Sequence, residues 1–369
     1  MKQNGSKINI GINARALMHE EPGGAIQVAD EISIRLNDLF ENVTLFGHHS
    51  LKERYPTVNS LGFLKKSQSF GILWEQSILP VSAIRSSIDV LFCPNANNPF
   101  LTYNTPTVVC VHDILNYLGY SPWYYTVLQR FRVPLSLRTA DSIITVSEFT
   151  KRELTSRLNI KESKINVVHS GVDDVFFQAE EGKKIQVPDQ YILFVGGAHK
   201  RKNIDGVVEA FKRLKQREDI PHELLLVGPS PRSTYDDTGI DWSDIESDPD
   251  IVPAGYVSQR ELKYIYGNAD TFVFPSYYEG FGLPPLEAMA CGTPVVASDR
   301  AALPEILGDA AEYVDPDSTT EIASGIAKLL GNDKLRAKRS KAGQKQAEQY
   351  RWDSAIDSYQ SILEDVAHS

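Results

Sequence analysis

The sequence predicts an α/β protein made of two doubly wound parallel sheets. Short β-branched runs alternate with helical patterns along the whole chain, which is the order expected of βαβ units. Many of these runs are continuously apolar, as in Thr107–Val111, and this is typical of parallel strands buried on both faces. There are too many strand-like runs for one sheet, and 369 residues are enough for two domains.

The predicted elements follow one another in a regular order. The candidate strands of the first half are Ile8–Ile12, Asn42–Phe46, Val90–Phe92, Thr107–Val111, Ser142–Val146 and Lys164–Val168. Those of the second half are Tyr191–Val195, Glu223–Val227, Asp250–Val252, Thr271–Phe274, Pro294–Ala297 and Ala311–Val314. Helical patterns between them include Ala25–Leu39, Tyr124–Arg138, Glu148–Leu158 and Ile204–Arg217.

A polar break at Gln178–Gln190, with a Glu-Glu-Gly-Lys-Lys run and Pro188, marks the predicted domain boundary. We therefore expect an N-terminal domain over 1–180 and a C-terminal domain over 181–350. The remaining residues, 351–369, are expected to form a helix that packs back toward the N-terminal domain. Two Rossmann-like domains facing each other would enclose a central cleft, because parallel sheets bind ligands at the carboxyl ends of their strands.

Charge and cysteine content exclude several classes of protein. The net charge is −10, and residues 181–369 carry all of it, because residues 1–180 hold 17 basic and 17 acidic side chains. An acidic chain without a basic tract is a poor nucleic-acid binder. No apolar run approaches the roughly 18–20 residues that span a bilayer. The three scattered cysteines fit reduced thiols, so a cytoplasmic protein is expected.

The segment Thr271–Asp299 holds the most informative pattern, TFVFPSYYEGFGLPPLEAMACGTPVVASD. A strand is followed by a glycine-containing loop and by a helix that begins at Pro284 and ends at Gly292, since proline is tolerated in a first helical turn. Free amides beside the positive end of a helix dipole form an anion site. Glu279 and Glu287 flank this site, where carboxylates suit the hydroxyl groups of a sugar and a ribose.

The spacing of Glu279 and Glu287, Glu-x7-Glu, resembles the signature of glycosyltransferase family 4, whose members have the GT-B fold and retain configuration. Further motifs follow in the family's order over nearly the whole chain: Ile12-Asn13-Ala14-Arg15, Pro22-Gly23-Gly24, Trp74-Glu75-Gln76, Val111-His112-Asp113, Val146-Ser147-Glu148-Phe149, Val195-Gly196-Gly197, Arg201-Lys202-Asn203, Gly255-Tyr256-Val257 and Leu303-Pro304-Glu305. The ordered series is more specific than any single motif.

A basic run, Lys200-Arg201-Lys202, precedes the predicted helix Ile204–Arg217, where positive charge opposes the helix dipole unless an anion is bound. A solvated basic turn is the alternative. The resemblance implies that Arg201 and Lys202 hold the donor diphosphate, together with backbone groups of the residues Gly197, Phe281, Gly282 and Leu283. Many relatives place an arginine where this chain has Gly197, so binding of the donor diphosphate is expected to depend on Arg201.

The other implied site residues come from four short motifs. Gly23 and Gly24 lie in a loop after the first strand, where missing side chains let amides approach a phosphate or the acceptor. His112 ends a strand. The resemblance makes Glu279 and His112 the expected catalytic residues and places His112 close to the donor sugar, without making it a general base. The resemblance also brings Tyr256 and Val257 to the nucleotide base. For each motif a purely structural role, as a turn or a packed residue, is the alternative.

The residues and the resemblance together predict a metal-independent hexosyltransferase that uses a nucleotide-diphosphate sugar and no other cofactor. GDP-mannose is the favoured donor, and a saccharide or a lipid-linked sugar is the expected acceptor. The aromatic stretch Ser121–Tyr125 with Arg130, Arg132 and Arg138 is either a surface that contacts an anionic membrane or an ordinary packed helix. The alternatives for function are a nucleotide-sugar epimerase or hydrolase on the same fold, and a non-catalytic nucleotide-sugar binder.

Overall fold

The structure is a computed structural model, and it describes residues 8–18, 24–48, 50–51, 55, 58–60, 68–120, 122–179, 182–228 and 242–369. The chain divides into two compact units. Unit 1 is the part up to Ser170 together with Asp353–Ser369, and unit 2 is Gly171–Trp352.

Unit 1 is built on a seven-stranded parallel sheet with the order β3-β2-β1-β4-β5-β6-β7. Its strands are β1 Asn9–Asn13, β2 Asn42–Gly47, β3 Val58–Ser60, β4 Val90–Cys93, β5 Thr107–Val111, β6 Ser142–Thr145 and β7 Ile165–Val167. All residues of β4, β5 and β6 are buried, as their uninterrupted apolar character predicts.

The helices of unit 1 are α1 Gly24–Leu39, α2 Gln68–Arg85, α3 Leu115–Leu118, α4 Trp123–Thr139 and α5 Glu148–Leu158, joined by the last helix of the chain, α13 Trp352–Ala367. The C-terminal segment Asp353–Ser369 thus belongs to the same unit as the N-terminal sheet. Tyr359 of α13 packs edge-on against Phe92 with 5.8 Å between ring centroids, and its hydroxyl lies 3.3 Å from the Cys110 sulfur.

Unit 2 has a six-stranded parallel sheet with the order β10-β9-β8-β11-β12-β13. The strands are β8 Tyr191–Val195, β9 Glu223–Val227, β10 Ile251–Gly255, β11 Thr271–Phe274, β12 Val295–Ser298 and β13 Glu312–Val314. The helices are α6 Ile204–Arg217, α7 Trp242–Ser247, α8 Gln259–Asn268, α9 Leu283–Ala290, α10 Leu303–Leu307, α11 Thr319–Leu330 and α12 Asp333–Ala347.

Local sequence accounts for these elements. In α6, apolar residues at helical spacing face the core, and Asn203 caps the helix by accepting a hydrogen bond from the Gly206 amide at 3.2 Å. All twelve predicted strands are present, most with bounds shifted by one or two residues. The short strand β3 and the helix α2 were not predicted, and α2 contains Pro80, which normally argues against a helix interior.

The domain division falls at Ser170 and not in the predicted polar break. The break packs inside unit 2: Lys183 donates its backbone N–H to the Arg260 carbonyl at 2.9 Å, and Lys263 Nζ lies 2.8 Å from the Gln178 carbonyl oxygen. A side chain at Gly182 would collide with the Arg260 carbonyl, which explains a glycine there. The polar composition of this segment is therefore that of an irregular surface segment that lies against α8. It does not mark a linker between domains.

Candidate active site

The predicted donor residues lie where the strand order of unit 2 reverses. Strands β9 and β10 lie on one side of β8, and β11, β12 and β13 on the other, so the switch point is between β8 and β11. The turn containing Arg201 and Lys202 follows β8, and the loop containing Glu279 follows β11. In open α/β sheets a crevice for ligands forms at this place.

Two cations and one carboxylate meet at the switch point. Glu279 Oε1 lies 2.7 Å from Arg201 Nη1 and 2.6 Å from Lys202 Nζ. The hydroxyl of Ser276 is 2.9 Å from the same carboxylate and 2.9 Å from the Arg201 carbonyl oxygen. The Lys202 ammonium also lies 4.5 Å from the centre of the Phe274 ring. The basic turn is therefore not a solvated charge run, because Glu279 already supplies it with an anion.

Glu279 remains charged in this arrangement. Burial by itself raises its pKa, but Arg201, Lys202 and the hydroxyl of Ser276 together lower the pKa below its ordinary value. One negative charge faces two positive ones, so the cluster keeps a net charge of +1 to offer to an anionic ligand. Ser276 was not among the predicted residues, although its place two residues after the buried strand β11 was a usable signal.

The pKa of Glu287 is shifted in the opposite direction from that of Glu279. It lies in α9, where burial raises its pKa to about 7, Asp173 adds to the rise, and the Tyr266 hydroxyl and Lys202 oppose it. The Tyr266 hydroxyl donates a hydrogen bond to Glu287 Oε2 at 3.1 Å. Lys202 acts on both carboxyl groups, so the structure brings Glu279 and Glu287 to the same side of unit 2. Tyr266 was not predicted as part of the site.

The start of α9 offers backbone donors. Gly282 precedes the helix with φ +130, and its carbonyl accepts from the Leu286 amide at 3.3 Å. Pro284 and Pro285 carry no N–H, so Leu283 has the only amide among the first three helical residues. Within the described part of the chain, the N–H groups of Gly282 and Leu283 have no acceptor. At the start of α9, these two backbone amides are therefore the groups that could bind an anion.

The side chain of Phe281 packs against unit 2 and does not face a ligand. It is buried, and its ring packs edge-on against Tyr350 with 5.6 Å between the ring centroids. Only the backbone of Phe281 is therefore available to a ligand, and its side chain holds the loop to the core of unit 2.

Three glycines line the carboxyl ends of β8, β9 and β10. Gly196 donates its amide to the Val227 carbonyl, Gly228 donates to the Gly255 carbonyl at 2.7 Å, and a side chain at Gly228 would meet the Gly196 carbonyl. Gly197 is exposed beside this edge. Tyr256, next in the chain after Gly255, is 76% exposed, and Val257 is half-buried. Gly228 was missed because it stands in no predicted motif.

His112 lies in unit 1, directly after β5, and is buried. Its Nε2 is 2.9 Å from the Pro94 carbonyl oxygen, which can only accept, so Nε2 carries a proton and donates it. That nitrogen is engaged by the Pro94 carbonyl and is not available as a base. Asp113 accepts from the Leu115 amide at 3.0 Å and closes the turn.

The glycine loop lies mostly outside the described residues. Gly23 is not described, and Gly24 is the exposed first residue of α1. No ligand contact is assigned to either.

A second charge cluster, not predicted as a site, lies at the switch point of unit 1, between β1 and β4. The carboxylate of Glu75 pairs with Arg132 and, at 2.7 Å, with Arg15, and Asn13 donates to it at 3.3 Å. Burial raises the pKa of Glu75, and the two arginines oppose this. Arg15 and Glu75 stood in the motifs Ile12–Arg15 and Trp74–Gln76, but their contact could not be inferred.

The described residues contain no group of three or more His, Cys, Asp or Glu side chains that could hold a metal ion. In the same part of the chain, no helix is long and apolar enough to cross a membrane.

Solved structures share this architecture over the full chain. Sucrose-phosphate synthase from Thermosynechococcus elongatus has a TM-score of 0.75 at 20% identity, covering 98% of this chain and 100% of that one. HepE of Anabaena in complex with UDP-glucose has a TM-score of 0.75 at 16% identity, with 97% and 100% covered. WaaG, a glycosyltransferase involved in lipopolysaccharide biosynthesis, has a TM-score of 0.70 at 13% identity, with 96% and 99% covered. At these identities the likeness defines the fold alone, which is GT-B.

Two of the relatives in sequence are mannosyltransferases by name. O-antigen chain mannosyltransferase B of Escherichia coli is 34% identical over 229 residues, 59% of this chain and 59% of that protein. O-antigen chain mannosyltransferase RfbU of Salmonella typhimurium is 30% identical over 221 residues, 60% of each. The similarity thus spans about three fifths of the length of these curated relatives.

Two family models adjoin along the sequence. The model described as Glycosyltransferase Family 4 matches residues 22–176, and the model described as Glycosyl transferases group 1 matches residues 176–346. The chain belongs to glycosyltransferase family 4.

Proposed function

We propose that this protein is a retaining, metal-independent glycosyltransferase that moves a hexose from a nucleotide-diphosphate sugar to a saccharide or lipid-linked acceptor. The observation that carries the proposal is the cluster of Arg201, Lys202 and Glu279 at the switch point of unit 2. Two cations, two backbone amides and a second carboxyl group at this place suit a diphosphate attached to a ribose and a sugar.

The leaving group determines the role of the cations. When the bond between the sugar C1 and the phosphate oxygen breaks, negative charge grows on the diphosphate, and Arg201, Lys202 and the Leu283 amide stabilise it. The acceptor oxygen bonds to C1 on the face that the phosphate leaves, and the acceptor proton passes to the departing phosphate oxygen. Configuration is thereby retained without a protein base, and His112 is not needed as one.

The two carboxyl groups take different parts of the donor. Glu279 has a low pKa and stays ionised, so it accepts hydrogen bonds from hydroxyls of the transferred sugar while Arg201 and Lys202 turn to the diphosphate. Glu287 accepts from the ribose diol, and the hydrogen bond from Tyr266 holds it in position. The glycine edge at Gly228 and Gly255, with Tyr256 and Val257, is left for the nucleotide base.

GDP-mannose is the proposed donor. The relatives named above are mannosyltransferases, which favours mannose. We propose a cytoplasmic protein, because Cys93, Cys110 and Cys291 are free thiols. The switch point of unit 1 is proposed for the acceptor, and a lipid-linked acceptor would bring unit 1 to a membrane surface.

Thermal-shift measurements with GDP-, UDP- and ADP-sugars test the donor, because a ligand that binds only the folded state raises the melting temperature. GDP-mannose is expected to give the largest shift. Transfer is then measured with Lys202→Ala and with Lys200→Ala as the matched control, since Lys200 is an exposed residue of the same turn. Lys202→Ala should lower kcat at least about 100-fold, and Lys200→Ala should change it little. Equal losses would mean that general positive charge, and not this cluster, holds the donor.

Product analysis separates the other functions. An epimerase or hydrolase would convert the donor without an acceptor, and a non-catalytic binder would show the thermal shift with no product. Full activity after treatment with EDTA is expected, and loss of activity that Mg²⁺ or Mn²⁺ restores would refute metal independence. Inverted configuration at C1 of the product would refute retention.

A further inference from the structure

Helix α4 exposes a large apolar face. Its buried side combines the polar residues Thr126, Gln129, Arg132 and Ser136 with Val133 and Leu137, which pack into the core of unit 1. Its outward face carries large apolar side chains at helical spacing, Trp123, Tyr124, Val127, Leu128, Phe131 and Leu135, with Trp123 78% and Phe131 76% exposed. A surface helix normally presents polar and charged side chains to water, so the outer face of α4 is built for an apolar environment.

The exposed apolar residues are concentrated in one part of the molecule. Of the thirteen large apolar side chains that are exposed in the described chain, twelve lie between Leu73 and Leu135 in unit 1. Helix α2 contributes Leu73, Val81 and Ile84. The ion pair of Glu75 on α2 with Arg132 on α4 joins the inner sides of the two helices. Scattered exposed apolar residues need no explanation, but a concentration such as this marks an interaction surface.

Charge indicates what covers this surface. The stretch 114–140 contains no Asp or Glu, although the protein as a whole carries −10. Arg130 and Arg138 are exposed, and among the described residues they donate to backbone carbonyls, those of Tyr117 and Leu158 respectively. A face with cations and no acid attracts anionic headgroups. It disfavours a second copy of the chain, because symmetric pairing would place like charges together.

We propose that the outer face of α4 docks on an anionic lipid bilayer, with the helix lying in the plane of the membrane. This deepens the membrane contact of the proposed function by naming the surface and the lipid charge. Trp123, Tyr124 and Phe131 enter the interfacial region, where aromatic rings are favoured, and Arg130 and Arg138 stay at the headgroup level. Arg132 remains on the inner side, held by Glu75.

The tryptophans make binding directly visible. The four are Trp74, Trp123, Trp242 and Trp352, and only Trp123 is exposed. Adding vesicles of phosphatidylcholine mixed with phosphatidylglycerol should therefore shift the protein's fluorescence to shorter wavelength through Trp123 alone. Vesicles of pure phosphatidylcholine should give a much weaker shift, and added salt should weaken the anionic response because it screens exposed charges.

Two pairs of variants test the two parts of the surface. Phe131→Ser with Leu135→Ser keeps the Trp123 reporter and should weaken binding to anionic vesicles more than about tenfold. Arg130→Gln with Arg138→Gln should abolish the preference for anionic lipid. The control for the second pair is Arg217→Gln with Lys334→Gln, two exposed cations of unit 2, which should leave vesicle binding unchanged.

These measurements distinguish a lipid membrane from a second copy of the chain as the partner of this surface. No binding of the intact chain to anionic vesicles, or binding that survives Phe131→Ser with Leu135→Ser, overturns the proposal. A dimer in solution that the same substitutions dissociate, without vesicle binding, assigns the face to a second copy. Because vesicle binding needs neither donor nor acceptor, its failure would leave the glycosyl-transfer proposal standing, and loss of transfer in Lys202→Ala would leave the docking proposal standing.

Discussion

Replacing Glu287 by Gln is expected to stabilise the protein while weakening donor binding. The folded protein holds the Glu287 pKa at about 7 against an ordinary value of 4.5, mainly because the carboxyl is buried. Between these values the folded state binds more protons than the unfolded chain, so the free energy of unfolding falls as pH rises through that window. Near pH 8 the ionised carboxylate therefore costs about 3 kcal/mol, because each pKa unit corresponds to about 1.4 kcal/mol.

A neutral Gln avoids this cost and still offers a carbonyl oxygen to the Tyr266 hydroxyl. Allowing for imperfect packing of the amide, we expect a gain of about 2 kcal/mol, or about 4–8 °C in Tm for a unit of this size. The gain should shrink below about 1 kcal/mol near pH 5, where the wild-type carboxyl is protonated. Thermal melts of both proteins across this pH range measure it, with Glu246→Gln, an exposed residue of α7, as the control.

The reasoning is refuted if Glu287→Gln is no more stable than wild type near pH 8, or if its advantage is the same at both ends of the range. The donor should give a smaller thermal shift in this variant, because an amide is a weaker acceptor for a ribose diol than a carboxylate. A stabilising substitution that harms binding is the expected signature of a residue kept for function.

Three further predictions use the same melts. Glu279→Gln leaves two cations without their carboxylate and should cost about 3–5 kcal/mol, and added pyrophosphate should recover part of this loss. Glu75→Gln should lower the stability of unit 1 by a similar amount. If pyrophosphate restored the stability of Glu75→Gln but not that of Glu279→Gln, the diphosphate site would lie in unit 1 and the assignment to Arg201 and Lys202 would be wrong. Gly282→Ala should destabilise by about 1–3 kcal/mol, since its φ is +130 and its Cβ would lie 2.7 Å from Leu303 Cδ2. Its control is Gly267→Ala, within α8 and with open space around it, which should be neutral or slightly stabilising.

Much of the secondary structure could be predicted because its signals are local. Thr107–Val111 and Ile204–Arg217 have the predicted bounds, since apolar periodicity and capping residues act within a few positions. Helix α2 escaped prediction because Pro80 lies inside it and its partners, such as Arg15 and Arg132, are distant in sequence.

The domain boundary shows where composition misleads. The polar segment that includes Lys183 has the composition of a linker, but its backbone and side chains bind α8. Whether a polar segment is solvated or lies against a helix depends on the surface beside it, and the sequence of the segment does not contain that surface. For the same reason Gly182 was unremarkable in sequence and is required by packing.

The sequence by itself determined the order of strands and helices, the family resemblance and the residue types of the donor site, because each is written in short patterns. Only the tertiary structure decided that Glu279 neutralises Arg201, 78 residues away, since that contact exists only when β8 and β11 are neighbours. It also decided that α4 presents an apolar face outward, because the ion pair of Arg132 with Glu75 and the burial of Val133 and Leu137 hold the other face inward. The hydrophobic periodicity of the sequence shows that a helix has two different faces, but which face is buried depends on tertiary packing.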